Sequence, residues 1–419
     1  MKLAKQQIVD ICQNSKKASQ ILANLDSIQK NKILKEVANL LEQNIDQIIA
    51  ANKKDLSNAK KNNLSDAKID RLKLDEARVK NIIKAVLDIS DLEDPIGKIT
   101  YDVKRANGLH IKRITVPIGL LLAIYESRPN VTSDIAALAI KSGNAVILRC
   151  GSDSINSSTA IANIYRHVLR KQKINENIIT LVSNADHSCV NELLKMSRYI
   201  DVVIPRGGKS LIKAISSKSR IPLFKHLDGN CHSYIHKSCD LTKARKIIFN
   251  AKMRRVGICG ACESIVIDKE IAKNVIPIIC DDLIEAGCEI RGDKESQKLD
   301  NRIKKANKKD FATEYLDKII SLKIVEDINE AIAHINHNSS SHTESIICED
   351  NEAAKKFLQQ IDSAIVMHNA STQFADGGEF GLGAEVGIST GKLHARGPVG
   401  LEQLTIYKYI IDANCAIRD

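Results

Sequence analysis

The run GLLLAIYESRPNVTSDIAALAIKSGNAVIL, residues 119–148, carries the pattern from which the fold follows. Gly119–Tyr125 reads as an unbroken apolar strand, Pro129–Lys141 as a helix introduced by Ser127-Arg128-Pro129, and Ala145–Leu148 as another strand. Strands that are apolar throughout belong in a sheet covered by helices on both faces. The alternation continues through helix Asp153–Val168, strand Asn177–Val182, helix His187–Met196, and strands Ile200–Pro205 and Pro222–Lys225. It predicts a doubly wound α/β sheet, in which ligands bind where strand carboxyl ends meet loops.

Upstream, residues 3–91 read as helical. Ile33, Leu34, Val37, Leu40, Leu41, Ile45 and Ile48 recur at steps of three and four, and a polar cluster, Lys53–Asn63, breaks the pattern. A further helix starts near Ile69. Ile99–Arg105 and Leu109–Val116 then form a basic hairpin around Asn107-Gly108, a strong turn signal. Downstream, a second α/β unit spans His236–Ala364, with helices 241–253, 271–286, 327–337 and 351–359 and strands 264–267 and 344–347. Lys294–Lys309 reads as solvated surface.

Inside that second unit, FNAKMRRVGICGACESIVI (249–267) sets Cys259 between Gly257 and Gly260, just after Arg254 and Arg255. The glycines offer left-handed backbone and room for a substrate. Neighbouring guanidinium groups favour the thiolate, which is the nucleophile. The same residues also fit a buried structural cysteine, and Cys259-x-x-Cys262 fits a redox pair or half a zinc site. No other Cys-x-x-Cys completes a zinc site, and a thioredoxin-like pair opens a helix, whereas this one precedes a strand. No metal is expected.

Strand-end loops offer further chemistry. Ile204-Pro-Arg-Gly-Gly-Lys-Ser210 places Gly207, Gly208 and Lys209 at a helix start beside Arg206, an arrangement suited to a phosphate or other anion. Leu148-Arg-Cys-Gly-Ser-Asp-Ser154 turns a strand into a helix capped by Ser or Asp. The Gly-x-Gly-x-x-Gly fingerprint is missing, so an ordinary Rossmann site is not expected. The glycine-dense run Asn369–Gly400, anchored by Phe380, Leu382, Val386 and Ile388, fits a loop wrapping an active site. Leu404–Ile411 closes the chain as an edge strand.

Bulk properties narrow the class. The chain has 419 residues, 43% hydrophobic and 27% charged, enough for two or three domains. Aromatics are only 3%, so the basic stretches lack the interleaved rings of a nucleic-acid surface; the +11 charge fits solvated helix faces and an anionic substrate. Eleven cysteines without a disulfide framework point to a reducing cytoplasm, and no apolar run reaches membrane-spanning length.

The stretches Val116–Val131, Lys141–Leu148, Ile204–Leu211, Lys225–His232, Asn250–Glu263 and Asp362–Tyr409 resemble the glutamate-5-semialdehyde dehydrogenases, or γ-glutamyl phosphate reductases, of the aldehyde dehydrogenase superfamily. The run FADGGEFGLGAEVGISTGKLHARGPVGLEQLT is the most specific. The resemblance implies an aldehyde-dehydrogenase-like α/β fold: an NADPH-binding domain (1–100 and 116–235), a smaller catalytic domain (236–368), and a wrapping segment with a β oligomerisation arm (101–115 and 369–419). It implies Cys259 as nucleophile, NADPH/NADP as cofactor, γ-glutamyl phosphate as substrate, a place in proline synthesis, a homodimer or higher homo-oligomer, and functional coupling to glutamate 5-kinase.

On this reading the Cys259 amide and Asn130 are the oxyanion donors. Arg149, Ser152, Gly207, Gly208, Lys209 and Glu344 serve the cofactor, with Arg149 meeting a 2′-phosphate. Arg128, Arg206, Arg255, His394 and Arg396 face the substrate phosphate. His226 stands where hydrolytic relatives carry a glutamate base. Gly260 replaces the family's common asparagine, and Cys262 is an uncommon second cysteine, expected to form a disulfide with Cys259 under oxidation. A hydrolytic aldehyde dehydrogenase and an inactive binding protein of the same fold are the alternatives.

Overall fold

The computed structural model describes residues 5–183, 186–225 and 228–418. It divides into two compact units: 1–225 with 381–387 and 399–419, and 226–380 with 388–398.

The first unit opens with helices α1 (Lys5–Leu22), α2 (Ser27–Gln43), α3 (Ile45–Lys61), α4 (Asp66–Leu72) and α5 (Glu76–Asp91). The apolar stripe faces inward as expected, with Ile33, Leu34, Val37, Leu41 and Ile48 buried. The polar cluster does not end a helix. Lys53–Lys61 continues α3, because Asn52, Asp55 and Ala59 turn inward together. The Asn52 amide donates to Leu72 O at 2.8 Å and to Ser157 Oγ at 3.0 Å.

Strands β1 (Ile99–Lys104) and β2 (Leu109–Pro117) make the hairpin, and Gly108 supplies the left-handed turn at φ +85. There follow β3 (Leu120–Tyr125), α6 (Asn130–Lys141), β4 (Ala145–Cys150), α7 (Ile155–Lys171), β5 (Ile179–Leu181), α8 (His187–Leu193), β6 (Val202–Arg206) and α9 (Lys209–Lys218). The four strands β5-β4-β3-β6 form a parallel sheet in that order. Every residue of β3 and β4 is buried, which their continuous apolar reading requires. Residues Pro222–Lys225 contribute only a single bridge, Val203 to Leu223, rather than a strand.

The second unit comprises β7 (Cys231–Ile235), α10 (Leu241–Met253), β8 (Cys262–Asp268), α11 (Lys269–Glu285), β9 (Glu289–Gly292), α12 (Lys294–Leu299), β10 (Lys304–Lys305), β11 (Ile319–Val325), α13 (Ile328–Asn338), β12 (Thr343–Ile347), α14 (Asn351–Gln360), β13 (Ile365–His368), β14 (Ile388–Ser389) and β15 (Gly397–Pro398). Although this is the shorter run of chain, it holds the larger sheet: seven parallel strands, β10-β9-β11-β8-β7-β12-β13. Strand β7 joins it, so the boundary between units falls after Lys225 and not at the expected 235/236. The Lys294–Lys309 stretch is mostly exposed, as expected, and carries α12 and β10.

Last comes β16 (Thr405–Ala413), which pairs antiparallel with β2 from Thr405↔Pro117 to Ala413↔Leu109. It leaves a three-stranded arm, β1-β2-β16, with most of both outer strands exposed. Among the described residues no helix is long and apolar enough to cross a membrane.

Helix α7 is not capped by its own Ser154 side chain. Its first turn is held by Asp55 of α3, fully buried: Oδ2 accepts Ser157 N–H at 2.8 Å and Ser157 Oγ–H at 2.5 Å, and Oδ1 accepts Asn156 N–H at 3.1 Å. A carboxylate at a helix start both accepts the orphan N–H groups and meets the positive end of the dipole. Asp55→Ala leaves buried donors unsatisfied and is expected to cost about 2–4 kcal/mol, read as a lower urea midpoint with unchanged slope.

Candidate active site

Helix α10 ends at Met253 and strand β8 begins at Cys262, and the nucleophile candidate lies in the turn between them. The Ala261 N–H donates to Ile258 O at 3.0 Å, closing a four-residue turn with Cys259 and Gly260 at its centre. Neither Gly257 nor Gly260 adopts the left-handed backbone expected of them. What Gly260 supplies is the absence of a side chain, since a Cβ there would lie 3.0 Å from Thr372 O. A side chain at this position would require the Thr372 carbonyl to give way by a few tenths of an ångström.

A tighter constraint comes from Gly229. A Cβ on it would stand 2.0 Å from Cys259 O and 2.7 Å from Cys259 Cα, so only glycine fits against this backbone. Gly229 N–H is itself held by Glu314 Oε1 at 2.9 Å. Next to it, Cys231 is fully buried and its thiol donates to Cys259 O at 3.1 Å. The half-buried Cys259 side chain packs against Ile365, Ala375 and Ile388.

Both ends of the turn are tied down. Lys252, in the last turn of α10, meets Glu263 of β8 at 2.5 Å with both side chains fully buried. The second Glu263 oxygen accepts Leu316 N–H at 3.1 Å. Burial pushes the Glu263 carboxyl up to about 7, against the pull of the Lys252 charge. Gln373 covers the open end of α10, its amide donating to Asn250 O at 3.1 Å and Ala251 O at 2.8 Å. Its carbonyl accepts from Arg254 Nη1 at 3.3 Å.

In the first unit, turns gather at the carboxyl edge of the parallel sheet. After β3, Ser127 adopts φ +49 and its hydroxyl donates to Asp153. After β4, Ser152 is exposed, and a Cβ on Gly151 would lie 2.4 Å from Asp153 Oδ1. After β6, the Gly208 N–H donates to Glu126 Oε1 at 2.9 Å.

The aldehyde dehydrogenase family pattern matches residues 1–287. A gamma-glutamyl phosphate reductase of Rhodospirillum rubrum is 50% identical over 402 residues, covering 96% of this chain and 94% of that one. One of Lachnospira eligens is 50% identical over 404 residues, covering 96% and 97%. The crystal structure of a gamma-glutamyl phosphate reductase from Thermotoga maritima superimposes with a TM-score of 0.96 at 40% identity, covering 98% of this chain and all of that one. The chain belongs to the aldehyde dehydrogenase family, among the gamma-glutamyl phosphate reductases.

Within this reductase family member, several expected site residues have other work. The Glu344 carboxylate is completely buried in β12: it accepts His232 N–H at 2.7 Å, His232 Nδ1 lies 3.0 Å away, and Ser363 and Ser339 hydroxyls donate to it. It braces the sheet from within β12. Arg396 clasps Asp362, Nη1 to Oδ1 at 2.8 Å and Nη2 to the carbonyl at 2.9 Å, and so anchors the returning loop. His394 beside it is exposed at φ +63.

The Gly207–Lys209 helix start, expected to hold a phosphate, holds Glu126; Lys209 is exposed there and Arg206 is half-buried at the end of β6. Asn130 was expected as an oxyanion donor, but its amide has a local partner, Asp134 Oδ2 at 2.9 Å, whose carboxyl burial pushes up to about 6. Arg149 is 6% exposed, with Cys150 and Cys189 both feeling its charge. Arg128 is half-buried ahead of α6, and Arg254 and Arg255 are both exposed.

Cys262 faces the apolar core of α10 and α11 and donates to Ser264 O at 3.3 Å, its thiol pushed up to about 11 by burial. It is thereby removed from the disulfide role expected of it. His226 lies outside the described residues. Gly229, Cys231, Lys252, Glu263 and Gln373 escaped sequence reading, for only their packing around Cys259 marks them. Gly229→Ala forces the Cys259 backbone aside and is expected to lower turnover by about a hundredfold or more, measured at saturating substrate.

Proposed function

We propose that this chain reduces L-γ-glutamyl 5-phosphate to L-glutamate 5-semialdehyde and inorganic phosphate, with Cys259 as nucleophile and NADPH as reductant, in the synthesis of proline. The observation that carries the reading is the Cys259 turn: a half-buried sulfur on a backbone fixed by Gly229 and Cys231, in a chain half identical to gamma-glutamyl phosphate reductases.

The Cys259 thiolate attacks the acyl carbon and the C–O bond to phosphate breaks, leaving a thioester and a phosphate ion. We assign the Cys259 backbone N–H to the oxyanion that forms on the way. A reduced nicotinamide, when bound, supplies the hydride that takes the thioester carbon to the aldehyde oxidation level. The sulfur then leaves the thiohemiacetal as thiolate and the semialdehyde is released.

Arg255, exposed four residues ahead of Cys259, carries charge for the departing phosphate, whereas Arg396 is engaged with Asp362. For the nicotinamide nucleotide, the turn after β4 fits the adenosine end. Gly151 lets the Asp153 carboxylate pack where a Cβ would meet it at 2.4 Å, Ser152 is exposed, and the Arg149 cation lies just before them.

The exposed arm supports a homo-oligomer. β16 is a sheet edge bearing exposed Ile406, Tyr407, Tyr409, Ile410 and Ile411, a surface suited to strand addition by a second copy. An acyl phosphate hydrolyses readily, which favours supply by a neighbouring glutamate 5-kinase. Eleven cysteines, all free, fit a reducing cytoplasm.

The test runs the reaction backwards, following semialdehyde oxidation with NADP. Turnover is expected to require inorganic phosphate, and Cys259→Ala is expected to lower it by about 10³-fold or more. Phosphate-independent oxidation, or an active Cys259→Ala enzyme, would refute the scheme. For the cofactor, Arg149→Ala is expected to raise the NADPH KM about tenfold while leaving that for NADH near its original value; equal changes for the two nucleotides would remove Arg149 from the 2′-phosphate.

A further inference from the structure

We infer that Cys231 is a positioning residue for the nucleophile: its thiol proton holds the Cys259 carbonyl and so fixes the direction in which the Cys259 sulfur points. The inference rests on Cys259 being the nucleophile.

Rotation about the Cys259 backbone sets where its sulfur goes, and the peptides on both sides are restrained. Ahead of it, Ile258 O accepts from Ala261 N at 3.0 Å. Behind it, Cys259 O accepts from Cys231 Sγ at 3.1 Å. Gly229 presses against the same carbonyl, leaving the peptide no room to flip toward that side.

The donor itself stands on rigid ground. Cys231 N–H bonds Gly229 O at 2.9 Å, and Asn230 between them is pinned by Phe311 O at 3.0 Å, Asn338 O at 2.9 Å and Ser340 Oγ at 2.9 Å. Cys231 pairs with Cys262 and His232 with Ser264, so Glu263 is the extra residue of a bulge. That irregularity sets the Lys252–Glu263 pair and the Cys231–Cys259 contact beside each other.

Cys231 must keep its proton to act this way, since a thiolate facing a carbonyl oxygen would repel it. Complete burial, with Glu344, Cys259, Cys262 and Glu263 as its charged or ionisable neighbours, disfavours the anion. On its other side His342 Nδ1 lies 3.6 Å away and is also 2.8 Å from Thr343 Oγ1, so the imidazole is held in place beside the thiol. A buried cysteine needs no polar partner to be stable. Here it has one, and that partner is the backbone of the reacting residue.

Positioning predicts a change in turnover that packing alone would not produce. Variants are made in pairs differing only by a hydroxyl donor: Cys231→Ser with Cys231→Ala, and Cys231→Thr with Cys231→Val. Each is assayed for kcat, KM, melting temperature and the rate at which iodoacetamide alkylates Cys259. Cys231→Ala is expected to lose about tenfold in kcat with KM unchanged, and to alkylate at Cys259 correspondingly more slowly. Cys231→Ser is expected to stay within about threefold of the parent. A folded Cys231→Ala enzyme with parental kcat and alkylation rate overturns the inference, as do equal rates for the alanine and serine chains. Should the alanine chain not fold, the threonine and valine chains decide by the same comparison. An active Cys259→Ala enzyme would instead strike the nucleophile assignment, and the two failures are read from different variants.

Discussion

Lys252 and Glu263 sit 2.5 Å apart with no solvent on either, one closing α10 and the other opening β8. Removing two charges from water is expensive, and replacing such a pair with well-packed apolar residues is often neutral for stability. Breaking it by deleting one partner is another matter, costing about 3–5 kcal/mol because the remaining charge is stranded. Direction, more than net stability, is what the pair contributes here. It ties together the two chain ends from which the cysteine turn hangs, and Leu316 N–H completes the coordination of the carboxylate.

Around that tie the second unit is built by buried polar contacts as much as by apolar packing. Glu344, deep in β12, gathers His232, Ser339 and Ser363. Gln373 closes the end of α10, and Asn230 reaches two separate segments, at Phe311 and at 338–340. Buried networks of this kind favour one arrangement, because a slip costs several buried groups their partners at once, even though Asn230 Oδ1 and His232 Nε2 have none here. The segment facing Cys259 is correspondingly rigid, which suits a nucleophile whose attack geometry must be set in advance. In the first unit the same device appears as Asp55 at the start of α7 and as Glu126 at the start of α9.

How much of this was legible varies with the kind of signal. β3 and β4 were plain because both faces are buried and every residue is apolar or nearly so. β7 was not, since His232 and Ser233 break the hydrophobic run while being fully buried; the glutamate that makes His232 tolerable lies far along the chain. The end of α3 was misjudged for a related reason: Asn52 and Asp55 look like surface residues until α7 and the α4–α5 connection are packed over them. Glu344 and Arg396 read as ligand contacts because charged residues in matching motifs invite that reading, yet each has an internal partner.

By itself the sequence determined the parallel α/β character, the hairpin at Asn107-Gly108, and the cysteine between flanking glycines, because each is written in neighbouring residues through periodicity, turn chemistry and composition. Tertiary structure alone decided that Gly229 must lack a side chain, that Cys231 addresses the Cys259 carbonyl, and that Cys262 is sealed in the core. Those facts depend on which distant segments meet at distances of a few ångströms. Contact between residues such as 229 and 259 leaves no periodic trace, since steric exclusion and hydrogen bonding act through space and not along the chain.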